Sequence, residues 1–342
     1  MEGLGTVQQK ISCVFKTAVL DEQSSKRSFQ PYKVVAIDEV KPHAIKDDIK
    51  AARATEKLDG TCVYIAEFQG KPWLWARLDR KPNKSTDKKF KKFYNQKQQW
   101  IRDGKQGTEP TFQWNVRTDF KDVPENWIPA SGVPIIDGLP QPDDNGHIPG
   151  WVPVEQKSKQ YVWHLSSVDL DHGIGLVLRE YNDKNENSTD LVVEVKTLAD
   201  LLGHTAELIG TNINANPYGI GTKKSPLHFL VIHGSLIVQN PPDLQLEAVK
   251  KWFDSSGRVE GVVWHCHSGA LYKIHRHHVD LSWPIKEPHL SCRKVHICVD
   301  ISKYEISVDK KSAITNLAQF SGKSCDSLIH IHELFTDENE AR

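Results

Sequence analysis

A short turn directly before a strand is the feature that most constrains this 342-residue chain. The turn reads Glu56-Lys57-Leu58-Asp59-Gly60, and apolar residues follow it from Cys62 to Ala66. An Asp-Gly pair favours a tight turn, and alternation with a period of two is typical of strands. The segment therefore predicts a turn that enters a sheet, with Lys57 and Asp59 on the same side of an extended backbone. An ordinary surface turn would also have this pattern.

Five further elements follow this turn along the chain. They are Arg77 in WLWARLDR, Glu207 in AELIG, Phe229 in LHFLVIHG, Glu260 in VEGVVW and Lys273 in ALYKIH. Each charged or aromatic residue lies in or beside an apolar run, which is typical of strands and their ends. Five such elements in one order rarely arise by chance, whereas the turn alone recurs in many proteins.

This ordered set resembles the covalent lysyl-nucleotidyltransferase superfamily, which includes DNA ligases, RNA ligases and mRNA capping enzymes. The similarity is strongest to animal ATP-dependent 5′-to-3′ RNA ligases that AMPylate themselves, and it spans about residues 1–290. It rests on the runs ATEKLDGTC, LWARLDRKPNK, NGHIPGWVPVE, ELIGTNINANPYG, EGVVWHC and KIHRHH. The resemblance implies an α+β fold whose antiparallel sheets form an adenylation, ATP-grasp-like domain.

The resemblance also implies roles for individual residues. Lys57 would attack the α-phosphate of ATP, release pyrophosphate and carry AMP covalently. Contacts to the nucleotide are implied for Glu56, Asp59, Arg77, Glu207, Phe229, Glu260, Lys273 and His275. Glu207 and Glu260 are candidate ligands of Mg²⁺ or Mn²⁺, because hard cations prefer oxygen. Structural alternatives exist, such as a turn cap for Asp59, a strand-end glutamate for Glu207 and a core position for Phe229.

The last motif departs from the usual pattern of the superfamily. Members usually end with Lys-x-Lys, whereas this chain has Lys273-Ile274-His275. Alternation places Lys273 and His275 on one face of a strand. The role of the second lysine would fall to His275, to Arg276 or to another part of the chain.

The implied reaction has three steps. Lys57 takes AMP from ATP, AMP passes to an RNA 5′-phosphate, and a 3′-hydroxyl then displaces AMP and seals the strand. One alternative is a GTP-dependent RNA guanylyltransferase. Another is a self-AMPylating protein that binds RNA ends without joining them. RNA with 5′-phosphate and 3′-hydroxyl ends is the expected partner in the first case.

The domain prediction follows from the length of the chain after the last motif. Residues 1–290 are expected to form the adenylyltransferase domain, with a basic and irregular insertion at 81–160. Residues 291–342 would be a small extension packed on it. DNA ligases and capping enzymes append an OB-fold of roughly 100 residues, and 274–342 is too short for one.

Charge limits how RNA could be bound. The chain has 44 basic and 44 acidic residues, so binding must depend on local patches. Residues 81–105 are the exception, with eight lysines and one arginine against two aspartates. Aromatic residues recur among them at helical spacing: Phe90, Phe93, Tyr94 and Trp100. This predicts an amphipathic helix with aromatics facing the core and lysines facing RNA phosphates.

Six cysteines without a Cys-x-x-Cys pair favour reduced thiols, and no signal peptide or membrane span is evident. The cytosol is the expected compartment with the nucleus as an alternative, and a monomer is expected. Residues 265–278 are rich in histidine, which raises a zinc site as an alternative to phosphate donors. Strands are predicted at 12–20, 161–165, 173–181, 191–195 and 229–238, helices at 198–202 and 245–254, and an irregular insertion at 106–160 anchored by Trp114, Trp127 and Trp151.

Overall fold

The computed structural model describes residues 6–23, 32–181, 189–306 and 312–335. The α-helices in these ranges are α1 (Pro42–Lys46), α2 (Lys84–Arg102), α3 (Val162–Ser166), α4 (Leu246–Ser255) and α5 (Ala313–Ala318). Short 3₁₀ helices lie at Ile49–Ala51, Lys159–Tyr161, Arg276–Val279, His289–Cys292 and Leu328–Phe335.

The strands in the same ranges are β1 (Ser12–Cys13), β2 (Phe15–Leu20), β3 (Lys33–Val40), β4 (Arg53–Lys57), β5 (Thr61–Phe68), β6 (Lys71–Arg77), β7 (Ile128–Pro129), β8 (Ile135–Ile136), β9 (Leu139–Pro140), β10 (Gly150–Pro153), β11 (Val168–Asp169), β12 (Ile174–Glu180), β13 (Leu191–Thr197), β14 (Thr205–Gly210), β15 (His228–Ile232), β16 (Gly261–His265), β17 (Leu271–His275), β18 (Val295–Cys298) and β19 (Ser324–Cys325).

Two sheets organise the fold. The large sheet has the order β19-β18-β13-β12-β15-β14-β5-β6-β10-β7, with β11 paired to β12. The small sheet has the order β1-β17-β16-β4. Most pairs are antiparallel, as predicted, but β1/β17, β12/β15 and β13/β18 are parallel. The chain is therefore a mixed, sheet-rich α+β protein.

Alternation along the strands gives the large sheet a core on each face. In β14 and β15, Ile209 and Phe229 point into one apolar cluster, and Leu208 and Leu230 point into another. The small sheet packs a third cluster against α4, whose Val249 and Phe253 are buried. These three clusters form the cores that stabilise the two sheets.

The basic segment forms α2, as predicted. Asn83 caps the helix by accepting hydrogen bonds from the backbone N–H groups of Ser85 and Thr86. Phe90 is buried and packs on Trp114 with ring centroids 4.8 Å apart. The lysines on the opposite face are exposed, which confirms the amphipathic arrangement.

Two predicted elements were wrong. The predicted strand at 161–165 is helical, because Ser158 accepts from Gln160 N–H and starts a 3₁₀ turn that continues into α3. The predicted helix at 198–202 is a series of turns. It ends at Gly203, whose φ of +80° and hydrogen bond from its N–H to the Ile65 carbonyl return the chain to the sheet.

Other boundaries needed smaller changes. The predicted strand at 229–238 ends at Ile232, because Gly234 adopts a φ of +84° in the following turn. The predicted helix at 245–254 is α4, and the strand at 12–20 is split at Val14 into β1 and β2. The stretch 106–160 is mostly irregular, but β10 within it joins the large sheet, with Trp151 fully buried.

The segment after residue 290 contributes to the large sheet. β18 pairs with β13 and carries β19 on its other edge, so these residues are continuous with the large sheet. Whether residue 290 marks a boundary stays a prediction. Across the ranges that the structure describes, none of the helices combines the length and the apolar character needed to cross a bilayer.

Candidate active site

The Lys57 turn lies where the two sheets meet. Strand β4 belongs to the small sheet, strand β5 belongs to the large sheet, and only Leu58, Asp59 and Gly60 separate them. Gly60 approaches β14 so closely that a Cβ at this position would lie 2.4 Å from the Leu208 carbonyl and 2.8 Å from Glu207 Cγ. Glycine is therefore required for the turn to reach Glu207, and the predicted Asp-Gly turn has a tertiary as well as a local reason.

Lys57 forms a short ion pair with Glu260. Its Nζ lies 2.6 Å from Glu260 Oε2, and the two side chains are 23% and 5% exposed. The register explains the contact, because Lys57 is opposite Gly261 and Glu260 directly precedes Gly261. A partly buried amine held by one carboxylate has a restricted position, which suits a group that must meet a bound substrate.

Lys57 shares a sheet face with two predicted site residues. In the small sheet, Gly261 on β16 is directly opposite both Lys57 on β4 and His275 on β17. Val263 on β16 is likewise opposite both Thr55 on β4 and Lys273 on β17. Directly opposed residues in antiparallel pairs project to the same face. The face is therefore basic, and the missing side chain of Gly261 leaves space between Lys57 and His275.

His275 is the residue that stands in place of the expected second lysine. Its ring stacks on His278, with centroids 3.5 Å apart. Arg276, the other candidate for that role, is buried and donates to the carbonyls of Phe253, Gly257 and Val259. Arg276 therefore serves the fold, and His275 is the better candidate of the two.

The histidine-rich hairpin does not bring its histidines together as a zinc site would require. His265 lies opposite Leu271, whereas His275 lies opposite Gly261, so the two are at opposite ends of the β16–β17 pair. His265 is therefore offset by four positions from the residue opposite His275, so the β16–β17 pair does not support a zinc site shared by these two histidines.

Asp59 is held by side chains that the sequence analysis did not select. Its Oδ2 accepts from Trp283 Nε1 at 2.8 Å, and its Oδ1 accepts from Asn214 Nδ2 at 2.8 Å. Its backbone N–H donates to the Tyr218 hydroxyl at 2.8 Å. Asp59 thus fixes the turn to two distant segments, which goes beyond the turn-cap alternative. Asn214 and Tyr218 lie in the NINANPYG run, which is the sequence pattern that could have identified them.

Tyr218 is a buried residue whose hydroxyl lies near the carboxylates around the turn. Burial raises the pKa of Tyr218 well above its ordinary value, and the nearby carboxylates of Glu260, Glu56 and Asp59 add to the increase. Glu260 pairs with Lys57 and Asp59 lies in the turn itself, so two carboxylates accompany the Lys57 amine. Such a site can bind a cation or an ammonium group without a net excess of positive charge.

Glu56 points away from Lys57, toward the opposite face of β4. Its Oε1 lies 3.0 Å from His289 Nδ1 and 3.8 Å from Arg293 Nη1, and its side chain is 4% exposed. Arg293 also contacts Glu180 at 3.3 Å. The structure does not place Glu56 with the other predicted nucleotide contacts. Glu56 connects β4 to the segment after residue 288.

Glu207 belongs to a second polar group on the large sheet. Its Oε2 lies 2.9 Å from His233 Nε2, while His233 Nδ1 lies 2.9 Å from Thr205 Oγ1. Cys62 is opposite Glu207 in the register. Among the residues described, Cys62, Glu207 and His233 are the set whose possible ligand atoms lie within 4.8 Å of one another. Nitrogen and sulfur beside one carboxylate are less suited to magnesium than an all-oxygen set.

Arg77 lies beside the Glu207 group. Its guanidinium donates to Asp79 and to the Gln8 carbonyl, both at 2.6 Å, and lies 4.8 Å from the ring centre of Trp151. Burial raises the pKa of the Cys62 thiol, with opposing effects from Glu207 and Arg77. The contact of Arg77 and of Glu207 with a nucleotide stays a prediction.

Phe229 is not accessible in this structure. It lies on the same face as Glu207 but is 0% exposed, within the cluster that includes Ile209 and Tyr218. The core alternative for Phe229 therefore describes the arrangement seen. Stacking on an adenine would need its neighbours to move.

His265, a buried histidine at the end of β16, leads to a prediction about how the stability of the protein depends on pH. His265 is buried, its Nε2 lies 3.0 Å from Thr55 Oγ1, and burial lowers its pKa to about 4 from an ordinary 6.5. The neutral form is favoured in the fold, so its contribution is complete above pH 6.5 and is lost as pH falls toward 4. We expect the free energy of unfolding to decrease by about 2 kcal/mol from this residue alone between pH 7.5 and pH 5.

The measurement is urea unfolding of wild type and His265→Gln over this pH range. The variant lacks the titrating imidazole of His265, so its stability should change less with pH than that of wild type. The exposed His267 in the same hairpin supplies a control, because His267→Gln should retain the wild-type pH profile. Parallel profiles for wild type and His265→Gln would show that His265 does not titrate on unfolding.

Comparison with known proteins gives the family. The family model described as RNA ligase 1 matches residues 1–334. The chain belongs to the RNA ligase 1 family. It is 47% identical to RNA ligase 1 of Rattus norvegicus over 330 residues, which cover 96% of this chain and 98% of the relative. RNA ligase 1 of Danio rerio is 47% identical over 331 residues and that of Mus musculus 45% over 332 residues, with the same coverage of both chains.

Proposed function

We propose that this RNA ligase joins an RNA 5′-phosphate to a 3′-hydroxyl through AMP held covalently on Lys57. The observation that carries the proposal is the position of Lys57. Its amine lies at the junction of the two sheets, 2.6 Å from the carboxylate of Glu260, and on one face with Lys273 and His275. A nucleophile, a carboxylate and two further cationic or donor groups are what phosphoryl transfer to an amine requires.

In the first step, Lys57 Nζ attacks the α-phosphorus of ATP. A nitrogen–phosphorus bond forms, and the bond to the pyrophosphate oxygen breaks. Lys273 and His275, on the same face, are placed to stabilise the negative charge that develops on the phosphates. In the second step an RNA 5′-phosphate displaces Lys57 from AMP, and in the third a 3′-hydroxyl displaces AMP from the RNA.

Asp59 acts in this proposal mainly by positioning. Its two carboxylate oxygens already accept from Trp283 and Asn214, so it holds the turn that presents Lys57. Arg77 and Glu207 remain candidates for contacts with the phosphates or the ribose, because Glu207 lies against Gly60 of the turn and Arg77 ends β6, which pairs with β5. Glu56 is proposed to support β4 from behind, where it contacts His289 and Arg293.

A divalent cation fits one side of the site better than the other. Glu260 offers carboxylate oxygens beside Lys57, and these are the ligands that Mg²⁺ and Mn²⁺ prefer. Glu207 contacts His233 Nε2, so it would have to exchange that contact to hold the same ion. When bound, the cation would neutralise charge on the phosphates of ATP.

The decisive experiment separates the nucleotide and the acceptor. Purified protein with Mg²⁺ is incubated with α-labelled ATP or α-labelled GTP, and then with 5′-phosphorylated RNA or DNA. We expect ATP-specific labelling of the protein that is transferred into joined RNA. Preference for GTP would favour the guanylyltransferase alternative, and a label that RNA discharges without joining would favour the end-binding alternative. Absence of labelling would remove the covalent mechanism.

Three broader properties belong to the same proposal. We place the protein in the cytosol, since its six cysteines are unpaired in the fold. We further propose that it is a monomer. We also propose that residues 1–290 form the catalytic domain, with 291–342 as an extension that completes the large sheet through β18 and β19. Limited proteolysis and sedimentation of the full chain test these statements.

A further inference from the structure

Helix α2 presents a row of lysines that the proposed chemistry does not use. Lys84, Lys88, Lys91 and Lys92 are all exposed, and they recur at spacings of three and four residues. Residues at these spacings lie on one side of a helix. We call this row the lysine face. Because the whole chain has no net charge, it is a local concentration of positive charge.

Little negative charge opposes the lysine face. Asp87 is the acidic residue within Lys84–Arg102, and it contacts Lys91 with Nζ and Oδ2 2.8 Å apart. The two side chains are 67% and 39% exposed, so the pair is weak and solvated. The lysine face therefore keeps most of its attraction for an anionic polymer.

The helix is fixed to the protein on its other side. Phe90, Phe93, Phe112 and Trp114 pack together, with ring centroids between 4.7 and 5.7 Å apart. Asn83 caps the beginning of the helix, and Arg102 pairs with Asp21 near its end at 3.4 Å. A surface that is ordered before binding loses less conformational entropy when a ligand is bound.

The position of α2 connects it to the candidate active site. Arg77 ends β6, and α2 begins seven residues later at Lys84. A seven-residue connection spans at most about 25 Å. A bridge between Arg80 and Ile148 keeps this connection beside β10, which pairs with β6 at Arg77. The first turn of α2 therefore lies within about 25 Å of Arg77, one of the candidate site residues.

Charge and polarity together favour RNA over a membrane as the partner. An interfacial helix inserts an apolar face between lipids, but the aromatic face of α2 is already packed on the protein. The exposed side continues from the lysines with Asn95, Gln96 and Gln99, which can donate to phosphate and sugar oxygens.

We propose that the lysine face of α2 binds the phosphate backbone of the RNA substrate at a distance from the ends being joined. The proposal rests on the proposed function for its substrate. It predicts binding without base specificity, because lysine contacts to phosphates do not read sequence. It also predicts dependence on salt, since each phosphate neutralised on a single strand contributes roughly 0.7 to the slope of log affinity against log salt.

The test uses Lys88→Glu/Lys92→Glu, which reverses two charges and replaces good helix formers with another good helix former. The control is Lys157→Glu/Lys159→Glu, which makes the same change at exposed residues outside α2. Affinity for a 5′-phosphorylated single-stranded RNA is measured by fluorescence anisotropy at several salt concentrations, and binding to vesicles of an anionic phospholipid is measured by co-sedimentation. Self-AMPylation with α-labelled ATP and the melting temperature are measured on the same preparations.

We expect the α2 variant to bind RNA at least about tenfold more weakly near 0.1 M salt, with a salt slope smaller by about 1.4. The control variant should match wild type, and both should keep wild-type self-AMPylation and melting temperature. Equal affinity and slope in the α2 variant and the control would overturn the proposal. So would unchanged RNA binding combined with lost binding to anionic vesicles. Failure of wild type to self-AMPylate would instead contradict the proposed function, while the affinity comparison would still test α2.

Discussion

Replacing Lys57 with arginine is expected to abolish self-AMPylation while leaving the fold intact. Arginine keeps a positive charge that can pair with Glu260, whose Oε2 lies 2.6 Å from the lysine amine. Its guanidinium stays protonated and does not act as a nucleophile. Labelling from α-labelled ATP should fall by at least about 10³-fold, to background, because no other group replaces a covalent nucleophile.

Lys57→Ala completes this test. It should also lose labelling, and it should be less stable than Lys57→Arg, because it leaves the Glu260 carboxylate, 5% exposed, without its cation. Lys71→Ala, at an exposed position on β6, is the control and should label like wild type. Labelling that persists in both Lys57 variants would assign the nucleophile to another residue, which mass spectrometry of the labelled peptide would identify.

Replacing Arg293 with alanine is expected to cause the largest loss of stability. Arg293 is 3% exposed on its side chain and lies between Glu56 and Glu180, at 3.8 and 3.3 Å. It also donates to the Thr189 carbonyl. Removing one partner of a buried ion pair typically costs about 3–5 kcal/mol, and here the Glu56 and Glu180 carboxylates would lose the guanidinium that lies between them.

The electrostatics of Glu180 support this expectation. Burial raises the pKa of Glu180, and Arg293 opposes that increase. Without Arg293, two carboxylates would remain close together in a poorly solvated place, and one would have to take up a proton. The variant should therefore show a melting temperature that decreases further as the pH rises from 5 to 8.

The measurement is urea unfolding of Arg293→Ala beside Arg102→Ala. Arg102 also contacts an aspartate, Asp21, but that partner is 87% exposed, so its loss should cost less than about 1 kcal/mol. Arg293→Lys should recover part of the stability, since it restores the charge but not the two-pronged geometry. A similar small loss in both alanine variants would show that the buried network is not what secures the segment after residue 288.

Local sequence patterns predicted a large part of the fold. Alternating apolar residues predicted β5, β12 and β13, and helical spacing predicted α2 and α4. The two wrong elements have apolar residues at spacings that suit either structure, and a cap at Ser158 and a glycine at 203 decided them. Such single hydrogen bonds and backbone angles are too local to alter a periodic pattern.

The residues of the candidate site are a similar case. The motifs selected Lys57, Lys273 and His275, which the small sheet brings to one face, and Glu260, which pairs with Lys57. They did not decide between a nucleotide contact and a core position for Phe229, and they did not identify His289 and Arg293 as the partners of Glu56. Those outcomes depend on strand register and on the packing between the two sheets.

The sequence by itself indicated several of the strands, the position of the lysine turn and the basic side of α2. Only the tertiary structure decided the partners of the key carboxylates. Asp59 meets Asn214 and Trp283 from 155 and 224 residues away, and Glu56 meets His289 from 233 residues away. Periodicity acts within one segment through the geometry of the backbone. Contacts over such separations form only when the two sheets close around the turn that joins them.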